Sequence, residues 1–214
     1  MNDDKDSIAE QKDLWSAALE TFCHQVLSVR RVYPKETFCS TRFLGVHCQA
    51  CRHPGVVEYI SETVQVATSA LFEGDSNEVS LVIFDQEKNV DHEKYSLCLL
   101  QKPRASIEQL EREMRDLILS VCTLGGMHCP AWSPSITFKI LLYLPTKNSK
   151  SEDLSLAIKE GKWYCPNTDS CSRAEEKRRP VHHMPKATCQ FYFQTNLTRK
   201  WVKIENPPGL YSMS

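Results

Sequence analysis

The chain has 214 residues, room for one domain with a sizeable appendage. With 41% apolar and 25% charged residues, it can bury a core and keep an ordinary surface. A formal net charge of -1 provides no basic face for a phosphate backbone, so direct nucleic-acid binding is excluded as its main task.

The opening string Met1-Asn2-Asp3-Asp4-Lys5-Asp6 is acidic and has no apolar stretch behind it. It is expected to be no signal peptide, and residues 1–12 are expected to form a flexible lead. No run approaches the ~18 to 20 apolar residues of a membrane span. The ten cysteines are therefore expected to stay reduced, most of them as small core residues, and the sequon Asn196-Leu197-Thr198 to stay idle.

Leu14, Leu19, Phe22, Val26 and Val29 recur at helical spacing and predict a first helix that ends near Tyr33-Pro34. Residues 38–48, with Gly45 as a turn signal, predict a strand pair. His53-Pro54 opens a second helix, with Val57, Ile60, Val64 and Leu71 on its apolar side and a stop at Gly74. Residues 79–84 read as a buried strand and 95–100 as its neighbour, joined by a polar hairpin over 85–93. Ser106 is the expected N-cap of a third helix, with Glu108 and Gln109 beside it. Its stripe is Ile107, Leu110, Met114, Leu117, Ile118 and Val121, and Gly125-Gly126 ends it. Residues 136–144 predict a long strand with Ile136, Phe138, Ile140 and Leu142 inward and Leu141 on the other face.

After Pro145 the chain turns polar, with a charged stretch over 173–179 and a single convincing strand over 189–194. The body is thus expected over 13–146 and a weakly structured wrap over 147–214. At ~3.3 Å per residue that wrap would span roughly 220 Å. A globule of this size has a radius of gyration of only ~17 Å. The wrap has the reach to cross the whole body.

Several strings carry a family resemblance. Val29-Arg30-Arg31-Val32-Tyr33-Pro34 with Phe38, Arg52-His53-Pro54 leading to Tyr59-Ile60, residues 79–94 with the Asp85 turn, and Gln190-Phe191-Tyr192-Phe193 stand in the order found in HORMA domains. The resemblance spans 14–146 and resumes over 163–194. The implied fold is α+β, three helices on a mostly antiparallel sheet with a C-terminal safety belt. The His-Pro helix start resembles the accessory, non-catalytic HORMA subunits of translesion DNA polymerase zeta. Tyr33-Pro34-Lys35-Glu36-Thr37-Phe38 is at least as similar to the spindle-checkpoint HORMA proteins of the mitotic-arrest type, which stand as the alternative.

The resemblance implies a non-enzymatic adaptor that captures a partner's proline-containing peptide by strand addition and closes the belt over it. The implied partners are the catalytic subunit of polymerase zeta and a translesion scaffold polymerase, in the nucleus with the cytoplasm as a second compartment. Tyr33, Tyr59 and Trp163 match positions that line the peptide site; their simpler role is to cap the core. Arg115 corresponds to an arginine used in HORMA–HORMA pairing, against the simpler role of a solvated charge beside Glu111 and Asp116. Gln190 and Tyr192 match the scaffold-polymerase contact, against an ordinary half-exposed strand.

Cys48-x2-Cys51, flanked by His47 and His53, invites a zinc reading, yet a tetrahedral site needs a second pair of ligands. Cys165, Cys171, His182 and His183 supply one only across long distance. No thiol nucleophile with a paired base and oxyanion donor stands out. No metal, cofactor or catalytic residue is therefore expected. A small zinc-containing regulator or thiol enzyme is the outlying alternative.

Overall fold

The structure is a computed structural model and describes residues 2–99, 106–126, 129–143, 151–160, 163, 179–182, 189–195 and 204–205. Cys165, Cys171, His183, the charged residues 173–178 and the sequon at Asn196 lie outside the described residues.

The first helix, α1 (Asn2–Val29), buries Trp15, Leu19, Phe22, Cys23, Val26 and Leu27 at i, i+3, i+4 spacing. It begins well before the expected start: most of the flexible lead, from Asn2 onward, is helical. The reason is physical. Ala9, Glu10, Gln11 and Lys12 are good helix formers, while Ile8 is exposed, so apolar spacing marks only the part of the helix that packs. Strands β1 (Phe38–Phe43) and β2 (Val46–Cys51) pair through a two-residue turn. Leu44 and Gly45 both take positive φ, 46° and 81°, as a type I′ hairpin requires.

Helix α2 (Pro54–Glu73) starts with proline in its first turn and ends at Gly74, whose φ of 82° is the left-handed C-cap. Its buried face runs through Val56, Tyr59, Ile60, Thr63 and Val64. Val57, expected on that face, is exposed.

Strands β3 (Glu78–Asp85) and β4 (Val90–Leu99) form a longer hairpin than the sequence predicts. Pairing begins at Val90 because Asp91 and Glu93, polar residues that suggest a loop, are buried against cations: Lys139 at 2.9 Å and Arg30 at 2.6 Å. A bulge at Ile83/Phe84 offsets the register.

Helix α3 (Ile107–Thr123) is capped by Ser106, whose Oγ accepts from the Gln109 N–H, and buries Leu110, Met114, Leu117, Ile118 and Val121 as predicted. Ile107 is only partly buried. Strand β5 (Ile136–Tyr143) turns Ile136, Phe138, Ile140 and Leu142 into the main core. Leu141 joins Val82 and Phe84 in a second apolar cluster.

The C-terminal segment holds more structure than expected. Helix α4 (Glu152–Lys159) buries Leu154 and Ala157. It is docked on α2, with the Ser151 N–H donating to Asp75 Oδ2 at 2.6 Å and Ser69 Oγ donating to Asp153 Oδ2 at 2.7 Å. Among the described residues three strands follow, β6 (Arg179–His182), β7 (Cys189–Thr195) and β8 (Ile204–Glu205). The sheet order is β6-β7-β4-β3-β5-β8, and every described pair is antiparallel. The C-terminal segment thus flanks both sides of the β4-β3-β5 core: β7 on β4, β8 on β5.

Candidate functional site

A cavity of about 1390 Å³ opens where the end of α1, the start of α2 and the start of β5 meet. Three aromatic rings interlock at its base. Tyr33 and Tyr59 both meet Phe138 edge-on, at ring-centroid distances of 6.2 Å and 5.4 Å. The two tyrosines selected from the sequence are thereby brought to one site.

Their hydroxyls address β5 itself. Tyr59 Oη accepts from the Ile140 N–H at 3.3 Å, and Tyr33 Oη lies 3.4 Å from Thr137 Oγ1. Burial raises the Tyr33 phenol above its ordinary range, so it stays neutral. Since the Ile140 N–H points away from β3, the main-chain groups of Phe138 and Leu142 share the same outward direction. At Leu142 that edge is taken by Ile204 of β8. At Phe138 it borders the cavity, while the Ile136 N–H donates to the Ser133 carbonyl at 3.1 Å. The site combines the start of a strand edge with an aromatic slot.

The far wall is the loop 129–135, which the sequence reading overlooked. Its signal was a tryptophan bracketed by prolines, Pro130-Ala131-Trp132-Ser133-Pro134-Ser135. Trp132 Nε1 and Cys129 Sγ both donate to the Arg30 carbonyl, at 2.7 and 3.0 Å. Ser133 and Ser135 hydroxyls donate to Asp85, each at 2.8 Å. The Lys88 backbone N–H above all, with those hydroxyls, holds the Asp85 carboxyl well below the usual carboxylate range against the opposing effect of burial. Arg30 is itself pinned to the sheet: its guanidinium meets Glu93 at 2.6 and 2.9 Å, and Tyr95 Oη donates to the same carboxylate at 2.7 Å.

Trp163 is elsewhere. It is 2% exposed in the main core, with its backbone N–H donating to the Ala157 carbonyl at 3.2 Å, and it does not line the cavity. Arg115 braces the β1–β2 turn, its Nε donating to the Leu44 carbonyl at 3.0 Å. Gln190 and Tyr192 stand on β7 opposite Cys98 and Ser96 of β4. Cys48 and Cys51 lie on β2 and are buried, which raises both thiols above their ordinary value and keeps them protonated. Among the described residues no three His, Cys, Asp or Glu side chains are placed to hold a metal ion.

Comparison with known proteins gives a consistent picture. No family model matches the chain. The mitotic spindle assembly checkpoint protein MAD2B of Rattus norvegicus and that of Homo sapiens are each 30% identical over 180 residues, 80% of this chain and 83% of theirs. The DNA polymerase zeta processivity subunit of Schizosaccharomyces pombe is 32% identical over 94 residues, 44% of either chain. Among solved structures, a chain of the mitotic checkpoint complex superposes with a TM-score of 0.65 at 19% identity, covering 87% of this chain and 98% of that one. Caenorhabditis elegans HTP-1 bound to a HIM-3 closure motif gives 0.57 at 14% identity, over 85% and 87%. At such identities these two structures speak for the fold alone.

Proposed function

The chain belongs to the HORMA family, among the relatives of the MAD2B proteins, and from that premise we propose that it is a non-enzymatic adaptor. It captures a proline-containing peptide of a partner protein in the groove beside β5. One observation carries this reading: the aromatic slot of Tyr33, Tyr59 and Phe138 adjoins the start of the β5 edge, ahead of the part paired with β8. Main-chain bonds to that edge would supply affinity, and the slot would supply side-chain selection. The C-terminal segment, which flanks both sides of the core sheet, is the belt that closes over the captured strand. That a structural relative is bound to a closure motif supports the mode of capture.

The likeness to the polymerase zeta processivity subunit favours a role in translesion synthesis, bridging that polymerase's catalytic subunit and a scaffold polymerase in the nucleus. In this reading Gln190 and Tyr192 contact the scaffold, Arg115 serves HORMA–HORMA pairing, and buried Trp163 steadies the start of the belt rather than touching the peptide. A checkpoint role is the second reading, favoured by the name that the MAD2B relatives carry. It predicts two slowly interconverting conformers and binding to a checkpoint activator. The protonated, buried state of Cys48 and Cys51 weighs against a thiol enzyme.

The test is binding of fluorescent proline-containing peptides to the purified chain. Tyr33→Ala and Trp132→Ala are each expected to weaken the tightest binder by at least ~10-fold, the loss ordinary for an aromatic anchor. If no peptide in a broad panel binds, the adaptor reading loses its mechanism.

A further inference from the structure

The lining of the groove is uneven in charge. Among the described lining residues two side chains are charged, Arg31 and Lys35, and both are exposed cations. None of the described lining residues is Asp or Glu. Glu36 follows Lys35 in the chain but does not line the groove. Among the described residues neither Arg31 nor Lys35 has a carboxylate within ion-pair distance.

Arg31 also occupies a backbone position that suits it poorly. Its φ is 53°. The Val32 N–H donates to the Leu27 carbonyl at 3.0 Å and the Arg31 N–H to the Ser28 carbonyl at 3.1 Å. These paired bonds close a helix whose left-handed residue is ordinarily glycine, because a Cβ there crowds the neighbouring carbonyl. Strain of this kind persists where the surrounding structure over-determines it, and it clusters at ligand sites. Here an arginine takes the strained position at the rim of the groove, two residues from Tyr33.

We propose that the segment captured in this groove is acidic: an extended partner peptide with Asp or Glu beside its apolar anchor, the carboxylates lying against Arg31 and Lys35. The proposal rests on the peptide-capture reading given above and names the chemistry of its ligand. The guanidinium offers a planar fork to a carboxylate, and Lys35 adds a point charge on the same rim. Because both cations are exposed, their contribution is modest per pair and screened by salt. It acts on association rate as much as on final affinity.

The experiment uses short fluorescein-labelled peptides that share one extended Val/Pro-rich core and differ only in flanking residues: Glu, Gln or Lys. They are titrated onto the full chain by anisotropy at low and at high salt. Glu-flanked peptides are expected to bind tightest and Lys-flanked ones weakest, with about a three- to tenfold spread at low salt that shrinks as salt is added. The variant Arg31→Gly/Lys35→Gln is expected to bind the three equally. Arg31→Gly alone is expected to unfold at a higher temperature than the parent, since it relieves the backbone strain, which separates lost charge from lost fold. Equal binding of the three peptides by the parent, or a Glu preference that survives in the double variant, overturns the proposal and leaves the groove reading standing. Failure of every peptide to bind, the Gln-flanked one included, sinks the groove reading and the proposal with it.

Discussion

Replacing Tyr59 by phenylalanine keeps the ring against Phe138 and removes only the oxygen that accepts from the Ile140 N–H. A buried donor deprived of its acceptor costs about 1–3 kcal/mol. Tyr59→Phe is therefore expected to lower the urea midpoint by that order with an unchanged slope. A midpoint equal to the parent's would mean that the β5 edge finds its acceptor elsewhere. His24 gives a second prediction at this scale. Burial lowers its pKa from 6.5 to about 4, and its Nδ1 accepts from the Cys51 N–H at 3.4 Å. The neutral ring belongs to the folded state, and the unfolded chain takes up the proton first. The stability that His24 contributes is thus fully present above pH 6.5 and is lost as pH falls toward 4, at most about 3 kcal/mol. Urea midpoints over that window should fall more steeply for the parent than for His24→Gln; parallel curves would contradict the assignment.

Among elements, the contact that places the groove is the buried pair between the end of α1 and β4. Arg30 and Glu93 are 2% and 5% exposed, and the Arg30 carbonyl also receives the Trp132 loop. Breaking one partner leaves an uncompensated buried charge, at about 3–5 kcal/mol. Glu93→Leu or Arg30→Met alone should be destabilising by that order in urea denaturation, and the double change Arg30→Met/Glu93→Leu should recover most of it. A double variant as unstable as the sum of the singles would show that the two residues act independently. The same pair explains what sequence could reveal of these elements. Caps and turns act locally, so Pro54, Gly74, Gly45 and Ser106 marked their elements directly. The first half of β4 looked like loop because Asp91 and Glu93 become strand residues only through Lys139 and Arg30, distant in sequence. Helix α4 was missed for a related reason: its short apolar face, Leu154 and Ala157, needs α2 and the Asp75 contact to hold it. In the groove, Tyr33 and Tyr59 were legible through the family resemblance of the strings that hold them. Arg31, Trp132 and Asp85 were not, since their roles come from a strained φ and from bonds between segments far apart.

At the scale of the whole molecule, the C-terminal segment touches both sides of the core sheet, with β7 on β4 and β8 on β5. A strand held on β5 at 136–138 would share its edge with β8, and under the proposed belt it could leave only after that segment moved. Slow dissociation is therefore the kinetic mark of this architecture, in contrast to an open groove. The most direct measurement is amide hydrogen exchange of the chain with and without a bound proline-containing peptide. Protection is predicted at 136–138 on β5 and at 29–35 after α1, persisting for as long as the peptide takes to dissociate. A peptide that binds while those amides exchange unchanged, with protection elsewhere on the chain, would contradict capture at the β5 edge.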